Sequence, residues 1–530
     1  MIDIEGCTKL LNEVELIFNT KAIKYNGLNI WPMVRIWAIV QYTQEKILVD
    51  EAKDSRLVNR KSLSKSGKMF ATPKIWIKKN KLVYLFLNAI RKNGLVVRKK
   101  LRSIRNKMAD SKNNSEAKES YAIFLTHAEC RQKTDLGYID VFCDPMVDRL
   151  SSLGRSSLVL EFSNEEKYNF PRYNKSLIIE NISQMKWATD VQDEMTENQD
   201  IKYLDEVLGG IKRYIAKRNI EFARFFPNAS TAIHNTNKVL DKCTFFTRIL
   251  GKVKPKIAFV VTYYNPIGFA FVLACKRMGI RVVDIQHGLQ GDFHVSYGRW
   301  VDIPENGYEL LPNIFWNWSK EDVRAIEKWS KQTNIHQSIL GGNLWHNYCK
   351  KNNAVLSNSA IEIECIRRKN VGSIFVLVSL QSEQQVPTWI TDLIESSSNK
   401  WIWMLRLHPT RMGNREKIKS QIGCWQAVNV YLDLSTDAVL PMLLPQMDVH
   451  LTANSSVVIE AGMFGICSVC TDPNAIRYFP SQFESGLALL SKKHPVNLFE
   501  ALEVQTRKTS NLTAQGKTDT GINKFDELVR

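Results

Sequence analysis

Six polar clusters in this chain stand where short apolar runs end: His127-Ala-Glu129, Thr262-Tyr263-Tyr264-Asn265, Asp284-Ile-Gln286-His287-Gly288, Leu380-Gln381, Arg406-Leu-His408-Pro409 and Thr452-Ala-Asn454-Ser455-Ser456. Their residue types suit phosphate and sugar chemistry. Ser455 and Ser456 open a helical run, where hydroxyls and free N–H groups meet the positive end of a helix dipole, an arrangement that suits a phosphate. Glu460 lies four residues beyond Ser456, on the same helical face one turn deeper. A carboxylate there can accept hydrogen bonds from ribose hydroxyls. Arg406 and His408 can add charge-assisted bonds to a phosphate or pyrophosphate. His287, just before a glycine, can serve as an oxyanion ligand or a base. Each cluster also has an ordinary reading: Asn-Ser-Ser as a helix N-cap, His-Pro as a turn, His287 as a packed histidine.

The elements that must position these residues alternate. Tyr121–Thr126, Ser157–Phe162, Lys256–Val261 and Arg281–Ile285 read as buried strands, with helices over Pro145–Leu153, much of Asp190–Leu250 and Ile267–Met278. Gly154 is suited to a helix C-cap. A second series follows: a helix over Ala360–Arg368, then strands at Ser373–Val378, Trp401–Leu407, Asn429–Leu432, Asp448–Thr452 and Ile466–Cys470. Helices fall between them at Trp389–Ser396, Ala438–Leu444 and Ser455–Phe464. Short apolar strands alternating with helices imply parallel sheets and an α/β fold. The expected division is a basic amphipathic extension over 1–119, a Rossmann-like domain over 120–346, a linker over 347–371, a second Rossmann-like domain over 372–512 and a tail helix over 513–530. In open parallel sheets ligands bind beyond the carboxyl ends of the strands, where the polar clusters fall. Two such sheets face each other across a cleft.

Composition narrows the class. At 530 residues the chain exceeds the ~250–300 residues at which single cores stop growing. No apolar run approaches the ~18–20 residues of a membrane-spanning helix. An acidic Met1–Glu5 argues against a signal peptide, and ten scattered cysteines fit a reducing cytoplasm. Gly341-Gly342-Asn343 is not a P-loop, no GxGxxG follows a strand, and no nucleophile elbow or metal-ligand spacing is present. Cys467-Ser-Val-Cys470 reads as core packing. The net charge of +18 is concentrated between Arg56 and Lys107, which hold 17 Lys/Arg and no Asp or Glu. Within that block Ile75-Trp-Ile77, Leu82–Leu87 and Leu95-Val-Val97 interleave with lysines and arginines, the texture of a segment lying on an anionic membrane. A solvated basic helical face is the plainer reading. No nucleic-acid motif accompanies the charge.

Together the clusters resemble bacterial GT-B glycosyltransferases of surface polysaccharide synthesis (capsule, lipopolysaccharide, O-antigen), in particular the capsule-type Kdo transferases and the sialyl- and polysialyltransferases with His-Pro and paired-serine motifs. The resemblance spans roughly Tyr121 to Phe499 and implies a nucleotide-sugar donor in the C-terminal domain, with CMP, UDP or GDP left open. By resemblance, Gln381, Arg406, His408, Pro409, Asn454, Ser455 and Ser456 hold the donor's nucleotide and Glu460 its ribose. Tyr263, Tyr264 and Gln286 face the sugar or acceptor, and His287 and Glu129 are the catalytic candidates. No metal or cofactor is implied. The implied acceptor is a lipid-linked glycan, and the implied location is the cytoplasmic face of the inner membrane, with 56–107 on anionic lipids. Two departures stand out. The polyol-phosphate transferases have Asp-Tyr before the serine pair, where this chain has Ala453-Asn454. The acidic Asp/Glu-Asp/Glu-Gly base of the sialyltransferase-like families has no counterpart, and Glu129 is the substitute. A polyol-phosphate transferase, a non-hydrolysing sugar-nucleotide epimerase and a non-catalytic membrane scaffold are the other readings.

Overall fold

A computed structural model describes residues 4–45, 118–163, 171–180, 194–292, 294–352, 358–381, 385–408, 413–423, 425, 429–512 and 521–530. The basic block 56–107 and Pro409 lie outside the described residues. The first sheet has seven strands: β1 (Ala122–His127), β2 (Ser157–Ser163), β3 (Ser176–Glu180), β4 (Ile257–Val261), β5 (Arg281–Ile285), β6 (Ile314–Asn317) and β7 (Gln337–Leu340), in the order β7-β6-β5-β4-β1-β2-β3. The second has six: β8 (Ile374–Ser379), β9 (Trp401–Arg406), β10 (Val430–Tyr431), β11 (Val449–Thr452), β12 (Ser468–Cys470) and β13 (Ala488–Leu490), in the order β10-β9-β8-β11-β12-β13. Every pairing in both is parallel. The protein is therefore two Rossmann-like domains, each with its strand order reversing once: between β1 and β4, and between β8 and β11. This is the GT-B layout.

Period-two alternation puts both faces of each sheet in a core. In β1, Ile123 and Leu125 face one apolar cluster while Ala122 and Phe124 face another. In β8, Val376 and Val378 face one side while Phe375 and Leu377 face the other. Trp401 and Trp403 are two residues apart on β9, so their rings stack on one face, 5.9 Å between centroids. Burial has one clear electrostatic consequence in the second sheet. His450 on β11 is fully buried, with Nδ1 2.9 Å from Ser468 Oγ and Nε2 3.0 Å from Ser379 Oγ. Desolvation pushes its pKa down to about 3. Its imidazole resonances should therefore not titrate between pH 5 and pH 8, and an NMR midpoint near 6.5 would contradict this placement.

The two ends of the chain depart from the sequence division. Helix Ile4–Ile17 and the helix over 31–45 form part of the first domain's main core, with Leu11, Trp31 and Tyr42 buried beside Leu125 and Phe226. A buried ion pair fixes them: Arg35 Nη1 donates to Glu15 Oε1 (2.9 Å), and Glu15 Oε2 accepts from Val301 N (2.7 Å). Charge averaged over 1–119 hides these ordinary core helices. At the other end, helix Gly521–Val529 returns to the first domain, where Phe525 and Val529 pack with Phe259 and Trp316 and the Val529 carbonyl accepts from Tyr121 O–H. Helix Asn358–Lys369, read as linker, belongs to the second domain through buried Ile363 and an Arg367–Asp448 pair at 2.6 Å. Among the described residues no helix is long and apolar enough to cross a membrane.

Candidate functional site

The carboxyl ends of the two parallel sheets face each other. A Cβ placed on Gly288, after β5, would lie 4.0 Å from Ser456 Oγ, after β11. Around this point the domains share an apolar cluster, with Phe142, Leu289 and Trp318 of the first against Val458, Ile459 and Phe479 of the second. Gln132, on a hairpin after β1, accepts from Arg406 Nη2 (3.2 Å) and donates through Nε2 to the Asp437 carbonyl (3.2 Å).

On the second-domain side the loops after β8 and β11 are joined directly: Gln381 Nε2 donates to Asn454 Oδ1. Asn454 in turn donates to Asp472 Oδ2 after β12 (2.5 Å). Asp472 was not singled out from sequence, since an aspartate before Pro473 reads as a turn residue. Ser456 is the N-cap of helix Val457–Met463, but its side chain makes no capping bond, which leaves the hydroxyl turned to the cleft rather than to its own helix. Glu460 Oε1 sits 3.1 Å from Nε2 of His346, a buried histidine of the inter-domain helix Leu344–Lys351. No local pattern marks His346; only the domain packing brings it to Glu460.

The first-domain side holds two histidines in contrasting surroundings. His287 Nε2 lies 3.2 Å from Thr262 Oγ1 and 3.1 Å from Tyr264 Oη, and Nδ1 is 3.4 Å from the Ile285 carbonyl. Burial, with the neighbouring His127 charge, lowers its pKa to about 4. His127 Nδ1 lies 3.0 Å from Glu129 Oε2 and its Nε2 3.3 Å from Cys130 Sγ. Burial opposes its charge, but Cys130 and Glu129 together raise its pKa above the usual range. The His127 hydrogen bond holds Glu129 below the usual carboxylate range. Environments that push neighbouring pKa values apart are how one site holds an acid and a base together. Beneath them Asp284 is buried and accepts from Tyr297 O–H (2.9 Å). Desolvation raises its pKa to about 8, so it is largely protonated at neutral pH.

Thr262 carries the geometry at a cost. Its φ of +67° is in the left-handed region, which costs on the order of 1–3 kcal/mol for a side-chain-bearing residue. Asn265 holds it by donating to its carbonyl (3.0 Å) while accepting from Ile267 N and Gly268 N (2.9 Å each). A Cβ on Gly268 would come within 2.5 Å of the Thr262 carbonyl oxygen. Gly268→Ala should therefore destabilise the first domain by about 1–3 kcal/mol and move Thr262 away from His287. A shift in urea midpoint, with loss of the His287 environment by NMR, would show both; an unchanged midpoint would refute the close contact.

Three sequence expectations need correction. Tyr263 faces the core, not a ligand: it is fully buried and its O–H donates to the Ser296 carbonyl. Gln286 is also fully buried, with Nε2 donating to the Gly288 carbonyl (2.9 Å) and Asp322 Oδ2 (3.1 Å) and Oε1 accepting from Trp318 N (2.6 Å). It shapes the His287 loop rather than meeting substrate. Arg406 is engaged by the fold, donating to the carbonyls of Ser435 (2.5 Å) and Ala438 (2.7 Å) and to Gln132, with burial lowering its pKa to about 10. It ties the domains together where a phosphate contact was expected. His408 is exposed at the end of β9, and Tyr264 is half-buried against His287. Among the described residues no group of three or more His, Cys, Asp or Glu is placed to hold a metal ion.

No protein-family model matches the chain, and no curated protein matches it. Solved structures resemble it in part. UDP-GlcNAc 2-epimerase from Methanocaldococcus jannaschii, in complex with UDP-GlcNAc and UDP, is 12% identical, with 77% of this chain and 99% of that chain covered and a TM-score of 0.46. The UDP-GlcNAc 2-epimerase of Neisseria meningitidis bound to UDP-GlcNAc is also 12% identical, with 77% and 98% covered and a TM-score of 0.46. The glycotransferase of kitacinnamycin is 11% identical, with 77% and 99% covered and a TM-score of 0.40. At these values the likeness assigns no activity to this chain.

Proposed function

We propose that this protein is a GT-B glycosyltransferase that moves a sugar from a nucleotide-sugar to a lipid-linked acceptor of a bacterial surface polysaccharide. The observation that carries the reading is the approach of Ser456 to Gly288, which brings a polar nucleotide-type face against an acid–base face. In this reading the nucleotide lies over Gln381, Asn454, Ser455 and Ser456, with His408 at the rim. Glu460, held by His346, accepts from the ribose. The acceptor hydroxyl attacks the anomeric carbon as the bond to the leaving phosphate oxygen breaks, and its proton passes to Glu129 or His287. The His127 charge and the N–H groups and hydroxyls around Ser456 stabilise the phosphate as it leaves. Closing the two domains excludes the water that would hydrolyse the donor. The basic block 56–107 would hold the enzyme on anionic lipid at the cytoplasmic membrane face, near a lipid-linked acceptor.

Thermal unfolding against CMP, CDP, UDP and GDP tests the donor site. A ligand at ~100 times its dissociation constant adds ~2.7 kcal/mol, so one nucleotide should raise the midpoint and Ser456→Ala should abolish the rise. No shift with any of the four would remove this reading.

A second reading, a sugar-nucleotide 2-epimerase, is favoured by one specific feature. Acid–base pairs approach from both sides, His127–Glu129 on the first domain and His346–Glu460 between the domains, as removal and return of a sugar proton require. Solvent deuterium appearing in a recovered nucleotide-sugar without acceptor would select it.

A further inference from the structure

One chain of side-chain hydrogen bonds joins the carboxyl ends of three neighbouring strands in the second sheet. It runs from Gln381 after β8, through Asn454 after β11, to Asp472 after β12, and ends on Asn474. A carboxamide can meet a neighbour with its N–H groups or with its carbonyl, so the direction of such a chain must be set from one end. Asp472 sets it. A carboxylate only accepts. Asp472 Oδ1 takes the backbone N–H of Asn474 (2.9 Å) and Asn474 Nδ2 (3.0 Å), while Oδ2 takes Asn454 Nδ2 (2.5 Å). Asn454 must therefore turn its Oδ1 to Gln381, and Gln381 must answer with Nε2, as it does. The other arm of Gln381 is then Oε1, an acceptor with two lone pairs. The backbone holds the carboxylate in place, since Asp472 N donates to the Ala453 carbonyl (3.1 Å) and Thr471 N to the Thr452 carbonyl (3.0 Å).

We propose that Asp472 is a positioning residue of the donor site, fixing the hydrogen-bond polarity with which Gln381 meets the nucleotide. Gln381 then accepts an O–H or N–H from the ribose or the base, and the phosphate oxygens are left to the donors around Ser455 and Ser456. The inference rests on the donor-site reading above and adds to it the chemistry that Gln381 selects. Asp472→Asn should reverse the chain rather than break it. The Asn474 N–H groups still require an acceptor, so the new amide keeps its oxygen there and turns its own N–H to Asn454. Asn454 must then present Nδ2 to Gln381, and Gln381 must spend Oε1 on Asn454. Gln381 now meets the nucleotide as a donor.

The test is isothermal titration of the full chain with CMP, CDP, UDP and GDP. For whichever of these binds the wild type, Asp472→Asn should weaken affinity by about tenfold or more, because a donor now opposes a donor. The swap Asn454→Asp/Asp472→Asn should regain most of that loss. A carboxylate at position 454 accepts from both neighbours, so Gln381 must again donate through Nε2 and keep Oε1 for the nucleotide. A plain structural fastener predicts the opposite order. It gives normal binding in the single variant, whose chain is still hydrogen-bonded, and weaker binding in the swap, which moves a negative charge to the loop of Ser455 and Ser456. Both variants keep the chain bonded, so their urea midpoints should stay near that of the wild type. Wild-type affinity in Asp472→Asn overturns the proposal while the donor site stands, as does a swap that binds no better than the single variant. Failure of all four nucleotides to bind the wild type removes the donor-site reading, and this inference with it.

Discussion

Glu460→Gln is expected to cost between ten- and a hundredfold in nucleotide-sugar affinity or turnover while leaving the unfolding midpoint nearly unchanged. A hydrogen bond to a charged group contributes about 1.5–3 kcal/mol, which is that range when the bond is made to the bound ribose. Glutamine keeps the shape and can still meet His346 Nε2, now 3.1 Å from Glu460 Oε1, so the inter-domain contact survives. His346→Ala provides the contrast. It leaves the carboxylate in place without its partner, so affinity should fall less than in Glu460→Gln, and Asn at position 346 should restore part of it. Isothermal titration with the nucleotide identified by the thermal screen would measure all three. Equal affinity in wild type and Glu460→Gln would remove Glu460 from the ribose and leave it a domain fastener.

The second large effect concerns His287. His287→Ala should lower turnover by about 10²–10⁴-fold if the imidazole exchanges the acceptor proton, with a smaller change in donor affinity. The pH dependence then has a definite sign. A base must be unprotonated to act, and burial beside the charged His127 holds His287 near 4. The rate should therefore stay level as pH falls from 7 to 5 and drop only on approach to 4. An acidic limb near the ordinary histidine value, about 6.5, would exclude His287 as the base. Glu129→Gln supplies the complementary measurement. It removes the hydrogen bond that supports the His127 charge, so His127 should lose its proton at lower pH, and relief of that charge should raise the His287 pKa. A pH–rate profile that moves in Glu129→Gln shows the coupling between the two histidines, and one that stays fixed shows that His287 titrates independently of the His127 charge.

Much of the fold was legible in the sequence because its central strands are buried on both faces and read as unbroken apolar runs. The run Arg281–Ile285 matches β5 end for end, and Asp448–Thr452 overlaps β11 with one extra residue. β3, β6, β7 and β13 were not picked out. Most are short edge or near-edge strands, and mixed runs such as Gln337–Leu340 carry little periodicity. The site was legible only as far as the strand ends. Sequence places Tyr263 and Tyr264 side by side after β4, but one ring enters the core and the other reaches His287. Gln286 and His287 divide in the same way. Which tyrosine turns to the cleft follows the backbone at Thr262, whose positive φ leaves no mark in the residue types around it, and Gln286 is drawn inward by Asp322 and Trp318 N. His346 and Gln132 were invisible for a different reason, since their roles exist only once the domains have met.

The return of helix Gly521–Val529 to the first domain bears on how the protein is made. Tyr121 and Val529, joined by a hydrogen bond, are 408 residues apart in the chain, and Phe525 fills a space between Phe259 and Trp316. On the ribosome, the whole second domain emerges before the piece that completes the first. Until then the first domain must wait with one face of its central strands uncovered. Contacts of such long separation are slow to form, and the exposed apolar face is open to misassociation in the meantime. The nascent protein should thus depend on chaperones more than two separately folding domains of this size would, and truncation before residue 521 should impair the domain that lies farthest from the cut in sequence.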